Sequence, residues 1–272
     1  MIVSKLAGVN SGLITRGLCC YLDAGDADSY SGSGSTWANI ASKFITAPAD
    51  GSAFVDWDFT GNTMPTFNGS AGGMSGAEYF AMDGDRNGFQ LASVPAILTN
   101  WTNNARGTAI VLFRSASSLT TTNTIFDTTS DGANPGGFMG FLGTGGGANY
   151  DLQATVRGLA PTTNRGTSLD FDVITTSSIY MASLAVNSPD LEMMTYINSG
   201  SGGSTETQAL NPSDPSGGSA AGIGRRSFAG TPGSGTPMES GSRLYQFLFY
   251  NVYLSLGELD QNFNVLRRRY GI

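Results

Sequence analysis

The chain has 272 residues, 14 basic and 21 acidic side chains, a formal net charge of −7 and no histidine. The acidic balance argues against sequence-independent binding of nucleic acid, because few cations are available to offset phosphate charge. The missing histidine excludes Ser-His-Asp and Cys-His catalysis as well as histidine-based zinc sites.

The composition is typical of an all-β protein with many turns. Glycine is abundant (38 residues) and charged residues are sparse (13%), while Ser, Thr and Asn fill the spaces between short apolar runs. A chain of this length can bury a sizeable core without disulfides or metals. Neither an internal repeat nor a domain boundary is visible, so the pattern predicts one β-sandwich.

Residues 1–16 mix Val, Leu, Ile, Gly and Ser without a clear period. They form either an N-terminal arm that lies on a neighbouring subunit or a first edge strand, and the arm is the preferred interpretation. The segment lacks the apolar core and cleavage site of a signal peptide. No apolar run in the chain reaches transmembrane length. We therefore expect synthesis in a cytoplasm and no membrane partner.

The first core strand contains the neighbours Cys19 and Cys20, the two cysteines of the chain. Adjacent cysteines rarely form a disulfide, so we expect two reduced thiols buried in the strand. An aspartate-rich turn follows, with Asp23, Asp26 and Asp28. These carboxylates form either a cation site or an ordinary turn. The turn is the preferred interpretation, because Asp is common in turns.

A second aspartate-rich segment is the candidate metal site. Asp83, Asp85 and Asn87, followed by Gly88, match the opening of an EF-hand loop. The twelfth position is Val94, so the bidentate carboxylate of that motif is missing and the EF-hand itself fails. The three residues remain a tentative calcium site, and the alternative is an ordinary turn rich in Asp and Gly.

Short apolar runs in the middle of the chain predict buried strands. The clearest lies over 107–114, and residues 199–220 form the most loop-like segment. Further strands are predicted over 124–127, 137–142, 152–156, 169–173, 178–186 and 193–197.

The C-terminal segment predicts a strand followed by a helix. The apolar run from Leu244 to Tyr253 indicates a strand covered on both faces. Ser255 and Glu258 have the spacing of a capping box. Leu259, Phe263, Leu266 and Tyr270 give the following helix one apolar stripe. Arg267, Arg268 and Arg269 are expected in its last turn, beside the negative end of the helix dipole, and Gly271 follows as a stop.

This C-terminal segment resembles the end of concanavalin A-like (LamG/pentraxin-type) jelly-roll domains, most of all those of tailed-phage virion proteins. The similarity rests on Phe249-Tyr250-Asn251 through Leu254-Ser255, then Glu258, Gln261–Asn264 and an Arg-Tyr-Gly-Ile ending. Weaker similarities lie at 17–26 with its Leu-Asp-Ala-Gly ending, at 30–37, 79–91 and 195–200, and at Gly222–Arg226.

The resemblance implies a two-sheet antiparallel jelly-roll sandwich over residues 17–272, with a short C-terminal helix. It also implies a non-enzymatic structural protein of a phage virion, most of all a decoration or cement protein on the capsid surface. Its partners would be the major capsid or tail protein and further copies of itself. The alternative is a tail-fibre or baseplate adhesin that binds host polysaccharide and is trimeric. A LamG-type calcium ion at residues 83–87 is the one cofactor that the resemblance suggests.

An enzyme is a weaker third hypothesis, since some proteins of this fold are glucanases. Their Glu-x-Asp-x-x-Glu strand motif is absent, so we expect no catalytic residues. Trp37, Trp57 and Trp101 are candidates for stacking on a sugar, but a large aromatic residue in a sandwich is more often part of the core. The sequence therefore names no glycan-binding residue.

Overall fold

The computed structural model describes residues 12–61, 64–84, 87–99, 106–116, 123–128, 137–144, 150–157, 164–169, 178–190, 192–200, 203–209, 221–225 and 237–272. In these ranges sixteen strands form two antiparallel sheets. The strands are β1 (Leu18–Asp23), β2 (Thr36–Trp37), β3 (Phe59–Thr60), β4 (Thr66–Asn68), β5 (Tyr79–Ala81), β6 (Phe89–Leu91), β7 (Arg106–Arg114), β8 (Asn123–Asp127), β9 (Gly137–Thr144), β10 (Tyr150–Arg157), β11 (Asn164–Leu169), β12 (Ile179–Asn187), β13 (Glu192–Asn198), β14 (Gly203–Ala209), β15 (Gly222–Ile223) and β16 (Arg243–Tyr250).

The helical elements are short. They are α1 (Ala96–Thr99), α2 (Leu256–Leu266) and three 3-10 turns at Ala41–Lys43, Phe54–Trp57 and Arg267–Arg269. Among the described residues, no helix has the length and apolar character needed to cross a membrane.

The first sheet has the order β14-β13-β12-β7-β16-β5-β4. Strand β7 pairs with one edge of β16, and both β5 and β1 pair with its other edge. The second sheet has the order β11-β10-β9-β8-β15-β6-β3-β2. The chain therefore folds as the predicted all-β jelly-roll sandwich with a short C-terminal helix.

Strand β16 of the first sheet is buried on both faces, as its apolar run predicts. Phe247 and Phe249 of β16 point into the sandwich core, where Trp37 and Trp57 are fully buried. Leu248 and Tyr250 alternate with them and pack on the opposite face under α2. Alternation along a strand sends successive side chains to opposite faces, so one continuous apolar strand serves two cores.

Helix α2 begins as predicted. The Ser255 backbone N–H and the Ser255 hydroxyl both donate to Glu258 Oε2, at 2.9 Å each. Leu259, Phe263 and Leu266 are buried against the first sheet. The prediction for the arginines needs correction: α2 ends at Leu266, and Arg267–Arg269 form a separate 3-10 turn. This turn ends near Gly271, which has φ +67°.

One strand lies where the sequence predicts a loop. Within residues 199–220, β14 (Gly203–Ala209) pairs with β13 along its length. Its residues are polar on both faces and exposed where their side chains are described, so no apolar alternation marks it. Cross-strand pairing to β13 stabilises this edge strand instead.

Residues 12–16 lie along α2 of the same chain. The Ile14 backbone N–H donates to Asn262 Oδ1 at 2.9 Å, and Gln261 Nε2 donates to the Gly12 carbonyl at 2.5 Å. Arg16 forms an ion pair with Glu258 at 2.7 Å. Residues 1–11 lie outside the described part of the chain, so an arm over 1–16 that contacts a neighbouring subunit stays a prediction.

Candidate functional site

The first aspartate-rich turn contains a buried ion network. Arg269 Nη1 lies 2.6 Å from both carboxylate oxygens of Asp23, and Arg269 Nη2 lies 3.2 Å from Glu78 Oε2. The side chains of Arg269, Asp23 and Glu78 are 1–2% exposed. Gln246 Nε2 also donates to Asp23, at 2.8 Å. The network ties the end of β1 and the loop before β5 to the turn after α2.

Electrostatics favours the charged form of this network. Burial lowers the pKa of Arg269, but the nearby Tyr270 and Asp23 outweigh burial and raise it overall. Burial has the opposite effect on an acid and raises the pKa of Glu78. Hydrogen bonds from Ser75, from backbone N–H groups and from Arg269 outweigh burial and hold this pKa below its ordinary value. The network is therefore a structural ion cluster in which the carboxylates already have a cation partner.

The other carboxylates of this turn are also neutralised within the protein. Lys43 Nζ lies 2.7 Å from both oxygens of Asp26 and 2.8 Å from Asp28 Oδ2. With Asp23 bound to Arg269, each aspartate of the turn has a protein cation. The structure therefore supports the turn interpretation over a cation site.

The tentative calcium site is described only in part. Asp83 is exposed, and its backbone N–H donates to Asn87 Oδ1 at 3.4 Å. Asn87 is 1% exposed, and Asp85 lies outside the described residues. In the described ranges no group of three or more His, Cys, Asp or Glu side chains is placed to hold a metal ion. Calcium at Asp83, Asp85 and Asn87 stays a prediction.

The tryptophans do not form an exposed sugar-stacking surface in the described structure. Trp37 contacts Phe80 and Phe89, and Trp57 stacks on Phe249 with ring centroids 4.8 Å apart. Both are fully buried, so the core interpretation is confirmed for them. Trp101 lies outside the described residues.

A different surface brings tyrosine, carboxylate, amide and hydroxyl side chains together. We call it the α2–β13 shelf and define it by Glu192, Tyr196 and Asn198 of β13, Thr205 and Thr207 of β14, and Tyr253 and Asp260 beside and within α2. Register places the β13 and β14 members on one face, because Tyr196 pairs with Thr205 and Met194 pairs with Thr207. This is the outer face of the first sheet, on the side that α2 covers.

Two tyrosine–carboxylate contacts join the helix side of the shelf to the strand. The Tyr196 hydroxyl donates to Asp260 Oδ1 at 2.9 Å, and Asn198 Nδ2 donates to the Tyr196 hydroxyl at 3.0 Å. At the other end the Tyr253 hydroxyl donates to Glu192 Oε1. Burial and the adjacent carboxylate together raise the pKa of Tyr253. For Tyr196 burial again acts first, and Asp260 adds to the rise. Both phenols therefore remain neutral donors over the physiological range.

The shelf is accessible over most of its extent. Thr205 and Thr207 are exposed, while Glu192, Asn198, Tyr253 and Asp260 are partly exposed; only Tyr196 is fully buried. It therefore presents hydroxyl, amide, carboxylate and aromatic groups together. Sequence reasoning missed it because its members come from three separate segments. The detectable signal is the alternation that puts Glu192, Tyr196 and Asn198 on one face of β13.

No protein-family model matches the chain, and no curated protein matches it. Solved structures do. The botulinum neurotoxin serotype D binding domain matches with a TM-score of 0.62 and 9% identity, over 94% of this chain and 52% of the toxin domain. A mutant Trypanosoma rangeli sialidase that displays trans-sialidase activity matches at 0.53 and 15%, over 95% of this chain and 34% of that one.

The Ruminococcus gnavus IT-sialidase CBM40 matches with a TM-score of 0.49 and 14% identity, over 66% of this chain and 94% of that chain. The chain spans about half of the toxin domain and about a third of the trypanosomal sialidase. At these identities the likeness shows the β-sandwich fold alone.

Proposed function

We propose that this chain is a non-catalytic carbohydrate-binding module of an adhesin, and that the α2–β13 shelf contacts the saccharide. The observation that carries the proposal is the assembly, on one partly exposed face, of carboxylate, amide and threonine hydroxyl groups beside the partly exposed Tyr253. Saccharides are bound by aromatic faces together with a few well-placed polar groups. The likeness to a toxin's binding domain adds support at the level of fold.

The proposal treats the carboxylates as ligand contacts and not as a catalytic pair. Glu258 caps α2 and binds Arg16, while Glu78 lies in the Arg269 network. Glu192 and Asp260 are each engaged by a tyrosine hydroxyl, at opposite ends of the shelf. None of these four carboxylates is thus placed as the free acid or base that glycoside hydrolysis uses.

The test compares two variants of the same exposed strand. Thr205→Arg places a long side chain on the shelf, whereas Ser204→Arg places it on the opposite face of β14. The full chain is screened on a glycan array, and the best saccharide is then titrated by calorimetry. We expect Thr205→Arg to weaken binding by about tenfold or more, and Ser204→Arg to keep the wild-type affinity. Equal loss in both variants, or no saccharide bound by the wild type, contradicts the proposal.

Within this proposal the module lies on the surface of a tailed-phage virion, on a tail fibre or baseplate, and is synthesised in the host cytoplasm. The resemblance of the C-terminal segment to phage jelly rolls supports that location. Self-association into trimers belongs to the same proposal.

A capsid decoration protein is the second candidate, and the course of residues 12–16 favours it. These residues lie along α2, with Gly12 bonded to Gln261 and Arg16 to Glu258. The last residues of the predicted arm over 1–16 are therefore anchored at this face, and in this candidate the arm contacts a neighbouring capsid or decoration subunit. Cryo-electron microscopy of the particle separates the two candidates. Density on the icosahedral shell supports decoration, and density at a fibre or baseplate tip supports the adhesin.

A further inference from the structure

We infer that the α2–β13 shelf selects uncharged saccharides and rejects forms of the same chains that carry carboxylate or sulfate groups. The inference rests on the proposed function and adds the chemical class of the ligand. It follows from the charges that line the shelf and from the groups to which the neighbouring cations are already bound.

The shelf carries two negative charges from different elements. Glu192 opens β13 and Asp260 lies in α2, four residues after the exposed Leu256. Carboxylates are anionic at neutral pH. A sugar acid would bring a third negative charge to a surface that already carries one at each end. Like charges a few ångströms apart repel, and the repulsion is stronger where the surface is partly desolvated.

The arginines described at the two ends of the shelf each contact another group of the protein. At the Glu192 end, Arg106 Nε donates to Asn187 Oδ1 at 3.0 Å, and its guanidinium lies 4.0 Å from Asp190. At the Asn198 end, Arg267 Nη1 donates to the Ile272 carbonyl at 3.1 Å. Recognition of a sugar acid calls for a guanidinium fork aimed at the ligand. In the described part of the chain, the hydrogen bonds of Arg106 and Arg267 at these two ends run to groups of the protein.

The same groups suit a neutral sugar. A carboxylate has about four lone-pair sites, so Glu192 and Asp260 each keep acceptor capacity beyond the one tyrosine bond described for it. Neighbouring sugar hydroxyls can donate to that capacity. Thr205 and Thr207 can donate to or accept from further hydroxyls. Charge-assisted hydrogen bonds of this kind are stronger than those between neutral partners.

The experiment uses an array in which neutral oligosaccharides are paired with sialylated, sulfated and uronic acid-containing forms of the same chains. The labelled full chain is expected to bind the neutral member of a pair at least about tenfold more tightly than its acidic partner. In the double variant Glu192→Gln with Asp260→Asn, the preference should fall by about two- to fivefold, as expected for partly exposed charges. Added salt should narrow the preference in the wild type, since it screens the repulsion.

Glu206→Gln is the matched control, because it removes an exposed carboxylate from the opposite face of β14. It should leave the preference unchanged. Equal or tighter binding of the acidic forms overturns the inference while the proposed function stands. A preference for neutral forms that is undiminished in the double variant also overturns it, since the two carboxylates would not be its cause. If the wild type binds no saccharide at all, the proposed function fails together with the inference.

Discussion

Arg269 donates from Nη1 to both carboxylate oxygens of Asp23, at 2.6 Å each, although 246 residues separate them in the sequence. The contact joins the end of the first core strand to the turn that follows the last helix. It also brings together the Leu-Asp-Ala-Gly and Arg-Tyr-Gly-Ile segments on which the family resemblance rests. These two segments are thus halves of one buried contact.

Loss of the Arg269 guanidinium should destabilise the fold severely. In Arg269→Gln both Asp23 and Glu78 lose their buried cation, and an uncompensated buried charge costs about 3–5 kcal/mol. Denaturant unfolding measures the free energy of unfolding. The matched control is Arg268→Gln in the same turn, whose side chain is exposed, and it should change stability by less than about 0.5 kcal/mol. Equal changes in the free energy of unfolding in the two variants would show that the network does not stabilise the fold.

Gly25 is required by the same guanidinium. A Cβ built at this position lies 1.5 Å from Arg269 Nη2, and the bonds to Asp23 and Glu78 prevent the guanidinium from moving away freely. Gly25→Ala should therefore cost about 1–3 kcal/mol, as overpacking does.

The control for this prediction has the opposite sign. At Gly257, in the first turn of α2, a built Cβ meets no atom within 4 Å. Gly257→Ala should stabilise the protein by up to about 1 kcal/mol, because alanine loses less entropy in a helix. Thermal or denaturant unfolding of both variants provides the comparison, and a harmless Gly25→Ala would contradict the geometry.

Local sequence patterns were sufficient to predict the elements around α2. An apolar run interrupted only by Gln246 and Asn251 predicts a strand buried on both faces, and β16 is such a strand. The spacing of Ser255 and Glu258 specifies where the helix begins. Each of these signals lies within a few residues of chain, where period and capping chemistry operate directly.

Contacts between distant segments could not be predicted in this way. The sequence predicts Arg269 in the last turn of a helix, beside the negative end of the helix dipole. Its burial depends on Asp23 and Glu78, whose proximity is created by strand pairing. The shelf could not be predicted for the same reason, because Asp260 accepts a hydrogen bond from Tyr196, which lies 64 residues earlier in the chain. The polar strand β14 was missed because its stability comes from pairing with β13.

Acid should weaken the Arg269 network through Glu78. The ordinary pKa of a glutamate is 4.5, and that of Glu78 is held below it in the folded state. The unfolded chain therefore binds more protons in the interval between the two values, and stability falls as the pH drops through that interval. Urea unfolding at pH values from about 7 to about 3 measures how steeply the free energy of unfolding falls with pH.

Glu78→Gln should be less stable at neutral pH, because its ion pair is lost, and should show a shallower loss of stability below about pH 4.5. Glu206→Gln, on the exposed edge strand, should keep the wild-type slope. A Glu78→Gln slope equal to that of the wild type would place the acid sensitivity elsewhere.

Calcium at residues 83–87 can be tested directly. If Asp83, Asp85 and Asn87 bind the ion, added calcium should raise the melting temperature by mass action, and chelation should reverse the rise. Asp83→Asn should reduce the rise, because it removes one carboxylate ligand. Asp28→Asn, in the turn already neutralised by Lys43, is the control and should respond to calcium as the wild type does. A melting temperature that ignores calcium identifies the segment as an Asp- and Gly-rich turn.

Cys19 and Cys20 should be unreactive in the native protein. Both side chains are fully buried, and burial raises the pKa of each thiol above its ordinary value. Because the thiolate is the reactive species, a raised pKa and lack of access both lower the reactivity of the thiols.

Ellman's reagent should therefore modify neither thiol in native buffer and both thiols in denaturant. The native rate should follow the rate or extent of global unfolding, since β1 pairs with β16 and both cysteines belong to the sandwich core. Arg269→Gln should accelerate modification through its effect on stability, whereas Arg268→Gln should not. Rapid reaction of one thiol in an otherwise stable protein would show that β1 opens locally, and that the Asp23–Arg269 contact does not hold its end.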